Sequence, residues 1–302
     1  MSVGPNSAAH APFEPDYSAL PTPVAVVGAP GMLGRAFVRQ MNQRLEFTPF
    51  GRDRLDITDT TSLRRAAMGP FRTFINCAAY ADVDGAETSE GAAMAANATG
   101  VALLARTCRE AGAKLVHFSS DYVFDGTATS PYPTDHPRSP VGAYARSKAA
   151  GEEAIEREAD LGLDTLVIRT SWLYAPWGKN FVRTVARLAR EKPQLRVVND
   201  QRGRPTSAEH LAAATLALLA RNARGTMHVT DGGECTWFDL ATEVARAANP
   251  DCRVIPCTTA EFPRPAKRPA YSVLDLSKTE AMLGPMPHWK RNLADVLSRL
   301  EP

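Results

Sequence analysis

The sequence lacks the features that mark several classes of protein. It contains no apolar run near the roughly 18 residues of a membrane-spanning helix, so no membrane span is expected. Its five cysteines form no C-x-x-C pair and its six histidines show no metal-binding spacing. We therefore expect neither a zinc site nor a disulfide framework, and structural or surface roles for the histidines. The cysteine pattern favours a reducing compartment, so we expect a cytoplasmic protein.

The chain also has almost no excess of charge of either sign. The formal net charge is +2, which predicts no extended basic or acidic surface. Nucleic acid and membranes are accordingly not expected as partners. An anionic ligand would have to be held by local cations and backbone N–H groups.

The first 23 residues differ in composition from the rest of the chain. Met1 to Pro23 is rich in proline and alanine and lacks the basic start and apolar stretch of a signal peptide. We predict a flexible leader over residues 1–23. A dinucleotide-binding domain is expected over 24–170, and 171–302 is expected to form mainly a substrate-binding lobe, with some segments returning to the sheet.

Short apolar runs alternate with helical stretches through the first of these segments. Strands are predicted at Val24–Val27, Glu46–Phe50, Thr73–Asn76, Lys114–Ser119 and Thr165–Arg169, and helices at Met32–Met41, Ala86–Ala111 and Ala143–Glu158. This alternation is typical of a doubly wound parallel α/β sheet of the Rossmann type. Further along, helices are predicted near Asn180–Glu191, Ala208–Arg221, Trp237–Ala248 and Leu293–Leu300, strands near Leu195–Val198 and Met227–Val229, and irregular structure over Thr258–Pro269.

Three glycines follow the first predicted strand. Gly28, Gly31 and Gly34 have the spacing G-x-x-G-x-x-G and precede the first predicted helix. Such a loop turns tightly and lets the backbone approach a diphosphate, while the helix N-terminus supplies N–H donors and partial positive charge. The position of the motif predicts a dinucleotide site. A plain strand–helix turn is the alternative.

The residues after the second strand bear on cofactor choice. Arg52 and Asp53 stand where an arginine accommodates the 2′-phosphate of NADP and an acidic residue holds the 2′-hydroxyl of NAD. We favour NADPH through Arg52. Asp53 leaves NADH open, and a solvated turn is a third interpretation.

Three side chains, a serine, a tyrosine and a lysine, are candidates for the groups that transfer a proton in an active site. Tyr144 and Lys148 are four residues apart in a predicted helix, so both lie on one helical face. A neighbouring ammonium favours the phenolate and moves the phenol's pKa from about 10 towards neutrality. Such a pair can give a proton to a carbonyl oxygen. The pair Ser119-Ser120 follows the fourth strand, at the edge of the sheet where α/β proteins bind ligands.

Together these motifs resemble the extended short-chain dehydrogenase/reductase superfamily and, more narrowly, the dTDP-4-dehydrorhamnose reductase family. The resemblance spans about residues 24–300. It is carried by the glycine loop, Asn76-Cys-Ala-Ala-Tyr80, Ser119-Ser-Asp-Tyr-Val-Phe-Asp-Gly126, Tyr144-Ala-Arg-Ser-Lys148, Arg169-Thr-Ser-Trp172-Leu-Tyr, Gly178-Lys-Asn-Phe181, Asn199-Asp-Gln-Arg-Gly-Arg-Pro-Thr206, and Arg268-Pro269 before Ser272-Val-Leu-Asp275.

The resemblance implies the residues that bind the cofactor. Gly31, Met32 and Leu33 would line its phosphates, Asp56 and Ile57 would lie beside the adenine, and Ala78, Ala79 and Tyr80 would lie along the cofactor. Some relatives carry magnesium at a dimer interface, although no ligand cluster in this sequence demands the ion. A monomer or a homodimer is expected.

The resemblance also implies roles at the reacting centre. Tyr144 would be the proton donor and Lys148 its partner on the nicotinamide ribose. Ser120 stands where the family usually has threonine and keeps the hydroxyl. Asp121 and Trp172 would contact the sugar nucleotide. The implied activity is NADPH-dependent reduction of the 4-keto group of a dTDP-4-keto-6-deoxyhexose.

Three positions depart from the family pattern, and the third of them, Tyr271, leaves the exact sugar open. Pro30 lies in the glycine loop, Gly85 replaces a usual lysine, and Tyr271 stands where asparagine is common. One alternative keeps the fold and changes the chemistry, as in an epimerase, a dehydratase or a ring-contracting dTDP-sugar synthase of dihydrostreptose type. Another is a non-catalytic NADP-binding regulatory subunit, which the intact serine, tyrosine and lysine disfavour.

Overall fold

The computed structural model describes residues 14–300. Its strands are β1 Val24–Val27, β2 Phe47–Phe50, β3 Thr73–Asn76, β4 Lys114–Ser120, β5 Thr165–Thr170, β6 Leu173–Tyr174, β7 Gln194–Val198, β8 Arg202–Gly203, β9 Thr206–Ser207, β10 Gly225–His228, β11 Cys235–Thr236 and β12 Arg253–Cys257. Its helices are α1 Met32–Met41, α2 Thr60–Ala67, α3 Val83–Ala86, α4 Glu90–Met94, α5 Gly100–Glu110, α6 Ala143–Asp160, α7 Phe181–Glu191, α8 Ala208–Ala220, α9 Trp237–Ala248, α10 Ser277–Leu283 and α11 Trp289–Ser298.

Six parallel strands form the central sheet in the order β2-β1-β3-β4-β5-β10. Every residue of β1, β3, β4 and β5 is buried, as expected for parallel strands covered by helices on both faces. The chain reverses its direction of winding between β1 and β3, which makes the carboxyl ends of these strands the topological switch point. The predicted doubly wound α/β fold is confirmed.

Alternate residues of each strand face opposite layers. Val24 and Val26 pack with α1 and α8, whereas Ala25 and Val27 pack with α2 and α5. A third hydrophobic cluster lies outside the sheet, where side chains of α7 and α9 pack with Trp289 and other residues of α11. Three two-stranded pairs, β6 with β9, β7 with β12 and β8 with β11, lie outside the central sheet.

The predicted leader is corrected at its C-terminal end. A 3-10 turn at Tyr17–Ala19 contacts α8, and Leu20 is buried in the core beside β1. The Thr73 hydroxyl donates to the carbonyl of Pro21 at 2.8 Å. Apolar contacts and a strand-end hydrogen bond therefore attach this segment to the sheet. Residues 1–13 of the predicted leader lie outside the described part.

The predicted helix Ala86–Ala111 is also corrected. The chain turns after α3 because Glu87 reaches the start of α6, where its carboxylate accepts from the Ala143 N–H at 2.8 Å. Helix resumes at Glu90 and continues to Glu110 through a π-helical turn at Ala95–Thr99. Two helices, α2, which Asp59 caps, and α10, were not predicted, and neither were the strands β6, β8, β9, β11 and β12.

Candidate active site

The glycine loop brings the ends of β1 and β3 together. Gly28 has φ +75°, and a Cβ on it would lie 2.7 Å from the Ala78 nitrogen. A Cβ on Gly34 would lie 2.4 Å from the Gly28 carbonyl oxygen. Both positions therefore require glycine. Gly28 needs it for its backbone conformation and its contact with the loop after β3, and Gly34 needs it because α1 approaches the glycine loop closely.

The first turn of α1 has the features of an anion site. Gly31 is the N-cap and, having no side chain, forms no cap hydrogen bond. The first N–H groups of the helix are thus left for an external acceptor, which the helix dipole would favour as an anion. Leu33 is buried in the core, so its contribution to such a site is its backbone N–H. These residues fit the diphosphate of a dinucleotide.

Arg52 lies on the surface beyond β2. Its side chain is 85% exposed and its Nε donates to Asp56 Oδ2 at 2.9 Å. The Thr58 N–H and hydroxyl bind the other oxygen, and these contacts lower the pKa of Asp56, with a smaller contribution from Arg52. Ile57 is buried, and a Cβ on Gly100 would touch it, so only the backbone of Ile57 is available to a ligand.

Two asparagines fix the loop after β3. The Ala78 N–H donates to Asn76 Oδ1 at 3.1 Å, and the Tyr80 N–H donates to Asn97 Oδ1 at 2.9 Å. The Asn97 amide returns hydrogen bonds to the Tyr80 carbonyl and to the Ser147 hydroxyl of α6, each at 3.0 Å. Ala79 is exposed between these anchors. No local pattern pointed to Asn97, because its partners are distant along the chain.

Ser120 ends β4, and Asp121 follows it in a 3-10 turn. The Ser120 hydroxyl donates to Asp121 Oδ1 at 2.9 Å and accepts from the Tyr122 N–H at 3.2 Å. Burial raises the pKa of Asp121 to about 7, although hydrogen bonds from Ser272 and Ser120 oppose the rise. The site thus holds a carboxyl group that titrates near neutrality.

Tyr144 lies in the first turn of α6. Gly142, with φ +93°, leads into this helix, and the Glu87 carboxylate caps it in place of a local side chain. Burial raises the pKa of the Tyr144 phenol to about 12; the Asp121 carboxylate also raises it, and a hydrogen bond with Ser120 lowers it. The phenol is therefore protonated at neutral pH, the state that a proton donor needs. The pKa shift towards neutrality predicted from the sequence is wrong, because burial outweighs the other effects and Lys148 is not among the groups that alter this pKa.

Lys148 lies one turn after Tyr144 and is buried. Its Nζ donates to the Phe118 carbonyl on β4 at 2.6 Å and lies 3.4 Å from His117 Nε2. Burial lowers the pKa of Lys148 to about 8, and Glu152 partly opposes this change. The predicted pair and Ser120 are thus brought together at the carboxyl end of β4.

Trp172 follows β5 with φ +48°, a conformation that residues other than glycine rarely adopt. Its ring stacks on Trp237 with centroids 3.7 Å apart and planes inclined by 11°. A Cβ on Gly203 would lie 2.7 Å from the Trp172 ring and 3.0 Å from the Ser272 hydroxyl. Trp172 is half-buried. Trp237 was not singled out in the sequence, since it belongs to a helix far along the chain.

A salt bridge joins the irregular segment after β12 to α3. Asp84 accepts from Arg268 at 2.9 Å and from Arg264, and these arginines overcome the effect of burial to lower its pKa to about 2. Gly85 follows, where a Cβ would lie 2.5 Å from an Asp82 carboxylate oxygen. The lysine usual in the family would therefore have to displace that carboxylate.

Two further observations concern metals and membranes. Between residues 14 and 300 there is no group of three or more His, Cys, Asp or Glu side chains that could hold a metal ion. No helix in the same range is both long enough and apolar enough to cross a membrane.

Comparisons with known proteins agree on one family. The family described as "RmlD substrate binding domain" matches residues 22–301. The chain is 42% identical over 279 residues to a probable dTDP-4,6-dihydroxy-2-methyloxan-3-one 4-ketoreductase of Streptomyces antibioticus, covering 89% of the chain and 92% of the relative. It is 42% identical over 281 residues to dTDP-4-dehydrorhamnose reductase of Streptomyces griseus, covering 89% and 91%.

A solved structure of similar shape is dTDP-4-dehydrorhamnose reductase from Bacillus anthracis in complex with NADP. Its TM-score with this chain is 0.87 at 34% identity, covering 91% of this chain and 98% of that chain.

Proposed function

The chain belongs to the dTDP-4-dehydrorhamnose reductase family and is an oxidoreductase, and on this premise we propose that it uses NADPH to reduce the 4-keto group of a dTDP-linked 6-deoxyhexose. The observation that carries the proposal is the grouping of Ser120, Tyr144 and Lys148 at the end of β4. The uncapped first turn of α1 follows β1 at the same carboxyl edge of the sheet, with β3 lying between β1 and β4.

The chemistry assigned to these residues is proton transfer to a carbonyl oxygen. The nicotinamide, when bound, supplies the hydride to the carbonyl carbon. Tyr144 gives its phenolic proton to the oxygen, so the ketone gains two electrons and two hydrogens in total and becomes a secondary alcohol. Ser120 orients the carbonyl by a hydrogen bond, for which its single hydroxyl proton turns from Asp121 to the substrate. Lys148 lies one helical turn from Tyr144 and, with a pKa of about 8, is mostly protonated at neutral pH. It stabilises the phenolate that forms, because a nearby positive charge favours the ionised phenol.

NADPH is favoured over NADH for two reasons. Arg52 is exposed beyond β2, and an exposed ion pair such as that with Asp56 contributes only about 0–1 kcal/mol. Its guanidinium can therefore turn to a 2′-phosphate at little cost. The B. anthracis relative was solved in complex with NADP.

The substrate class follows from the relatives. Both Streptomyces relatives named above carry names of dTDP-linked keto-sugar reductases. Asp121 and Trp172 are proposed to contact the sugar nucleotide, the first through a buried carboxyl beside Ser120 and the second through an aromatic face.

The test is a reductase assay with dTDP-4-keto-6-deoxyhexoses, using NADPH and NADH separately, with NMR of the product. We expect NADPH oxidation and a new hydroxyl-bearing carbon at C4 of an intact six-membered ring. Tyr144→Phe should lower kcat by a factor on the order of 10² to 10⁴ and leave NADPH binding in place. Tyr132→Phe, which alters a phenol bound to Asp125 instead, is the matched control.

Other outcomes would contradict the proposal in distinguishable ways. A contracted ring in the product would indicate the synthase chemistry. Binding of NADPH without turnover of any keto sugar would indicate a regulatory subunit. Full turnover by Tyr144→Phe would remove Tyr144 from the mechanism.

A further inference from the structure

His117 is a buried titratable residue that the proposed mechanism leaves unused. It lies on β4 with 1% of its surface exposed. Its Nδ1 is 3.1 Å from Asn76 Nδ2 on β3, and its Nε2 is 3.4 Å from Lys148 Nζ on α6. The ring therefore connects the neighbouring strand to the amine of the candidate site.

The hydrogen bonds around Asn76 determine which ring nitrogen carries the proton. The Ala78 N–H is a donor and binds Asn76 Oδ1 at 3.1 Å, which fixes the orientation of the amide. Asn76 Nδ2 then donates to His117 Nδ1, which must be unprotonated. Burial, together with Lys148, lowers the pKa of His117 well below its usual value, so the ring is neutral. The remaining ring proton is consequently on Nε2.

This tautomer sets a constraint on Lys148. An ammonium group has three N–H donors and no lone pair, so it cannot accept a hydrogen bond from the Nε2–H of His117. One ammonium proton binds the Phe118 carbonyl at 2.6 Å. The other two N–H groups point away from the imidazole N–H, because they would otherwise face a second donor. Only the neutral amine of Lys148 can accept from His117.

We propose that His117, held in the Nε2–H tautomer by Asn76, is a positioning residue that directs the Lys148 ammonium towards the Phe118 carbonyl and away from the imidazole, and that favours release of a proton from Lys148. The inference rests on the proposed function, in which Lys148 supports Tyr144. His117 is not a proton relay, because its other nitrogen ends on the Asn76 amide, which does not exchange protons with a carrier.

The charged surroundings of Lys148 do not substitute for this contact. Within the described residues, the titratable side chains that act on Lys148 are His117 on β4, which lies 3.4 Å from its Nζ, and Glu152 on α6. Glu152 favours the ammonium, but its carboxylate is bound by Arg169 at 2.7 Å and by Arg138 at 3.1 Å. Asn76, from β3, is uncharged.

The first experiment needs no variant. In ¹⁵N NMR of the cofactor-free protein, the His117 signals should show an unprotonated Nδ1 and a protonated Nε2 across neutral pH. The sequence has six histidines, and loss of one signal pair in His117→Gln assigns the resonance. A protonated Nδ1 in the wild-type protein would overturn the proposal outright, whether or not any variant folds.

The second experiment measures Lys148 directly. In protein labelled with ¹³C at lysine Cε, the pKa of Lys148 is expected at about 8, with the signal assigned by its absence in Lys148→Met. His117→Asn keeps an acceptor for Asn76 and removes the donor facing Lys148. His117→Gln places an amide oxygen within reach of the ammonium. Both should raise the pKa of Lys148 by roughly half a unit to one unit, the equivalent of one hydrogen bond.

The outcomes separate this inference from the proposed function. An unchanged Lys148 pKa in both variants would show that His117 only fills space between β3 and α6. Neither measurement requires turnover. An upward shift in a protein that reduces no keto sugar would therefore support the inference and refute the function. Turnover of a keto sugar with no change in the Lys148 pKa would support the proposed function and refute the inference.

Discussion

At the scale of single residues, Asp121 has a direct effect on how stability depends on pH. Burial raises its pKa from 3.8 to about 7, so the folded protein binds the carboxyl proton more tightly than the unfolded chain does. A raised pKa contributes stability that is fully present below the unfolded value of 3.8. That contribution is lost as pH rises towards 7 and above, where a buried carboxylate must be held ionised.

We therefore predict that Asp121→Asn stabilises the protein at alkaline pH. The amide carries no charge, so the free energy of unfolding should exceed that of the wild type by up to about 4 kcal/mol near about pH 8. The difference should shrink as pH falls towards about 4. Urea denaturation across this range measures it.

Asp125→Asn is the control, because the pKa of Asp125 is lowered in the folded protein whereas that of Asp121 is raised. The Thr127 N–H and hydroxyl lower the pKa of Asp125, so its carboxylate stabilises the fold above its unfolded pKa, and its removal should not help at alkaline pH. A stability difference for Asp121→Asn that does not vary with pH would contradict the burial argument.

Trp172 offers a second residue-scale prediction. Its ring is half-buried against Trp237 and its backbone is in the left-handed region, a combination that is found more often at functional sites than in ordinary cores. Trp172→Ala should raise KM for the dTDP-sugar and change the melting temperature little. Trp237→Ala is the matched control, since this ring also packs against Phe181 of the lobe. A stability loss of roughly 3–5 kcal/mol in Trp172→Ala with normal KM would indicate a core role.

At the scale of elements, the sequence predicted those parts that local patterns determine. The β-branched run Val24–Val27 and the glycine loop after it predicted β1 and the start of α1 at their observed bounds. Tyr144 and Lys148 were placed on one helix because a spacing of four residues is a helical property. Fold class followed from the alternation of such elements.

The elements that were mispredicted depend on distant partners. The helix over Ala86–Ala111 is interrupted because Glu87 caps α6, whose first residue is more than fifty positions away. Its π-helical turn presents Asn97 to Tyr80 and Ser147. The roles of His117 and Trp237 likewise depend on contacts with strands and helices that are distant along the chain. Helical periodicity contains no information about such contacts.

The contact between α6 and the π-helical turn yields an element-scale prediction. A Cβ on Gly151 would lie 2.1 Å from the Asn97 carbonyl oxygen, so Gly151→Ala must push α6 away from the turn. We expect a loss of roughly 1–3 kcal/mol, the usual cost of overpacking. The fall in kcat should be larger than the change in KM, because Tyr144 and Lys148 move with α6.

Gly91→Ala is the matched control for helix propensity. Gly91 lies in α4, and no atom lies within 4 Å of the position that a Cβ would occupy there, so alanine should stabilise the protein by roughly 0.5–1 kcal/mol. Thermal melts of the two variants would then shift in opposite directions. A neutral Gly151→Ala would show that α6 can move freely relative to the turn.

At the scale of the whole molecule, the two predicted segments are interleaved. β10 comes from the C-terminal segment yet completes the central sheet beside β5. α8, also from that segment, packs on α1 and has eleven buried residues. The buried carboxylate of Asp231 accepts from Tyr174 and Ser207, and it also binds His210. Segments from beyond residue 170 therefore contribute to the sheet and its helical layers, as the sequence analysis expected for part of that segment.

This interleaving leads us to predict one cooperative unfolding transition for the full chain. Chains well above about 150 residues often unfold through intermediates, so the expectation is not trivial. Separation of the lobe would expose the apolar faces of α8 and the edge of β5 at once, and an intermediate that exposes both has no compensating contacts. Calorimetric and van't Hoff enthalpies should consequently agree. NADPH at about 100 times its Kd should shift the entire transition by about 2.7 kcal/mol. Two resolved transitions, with only the first moved by NADPH, would show instead that the sheet and the lobe fold independently.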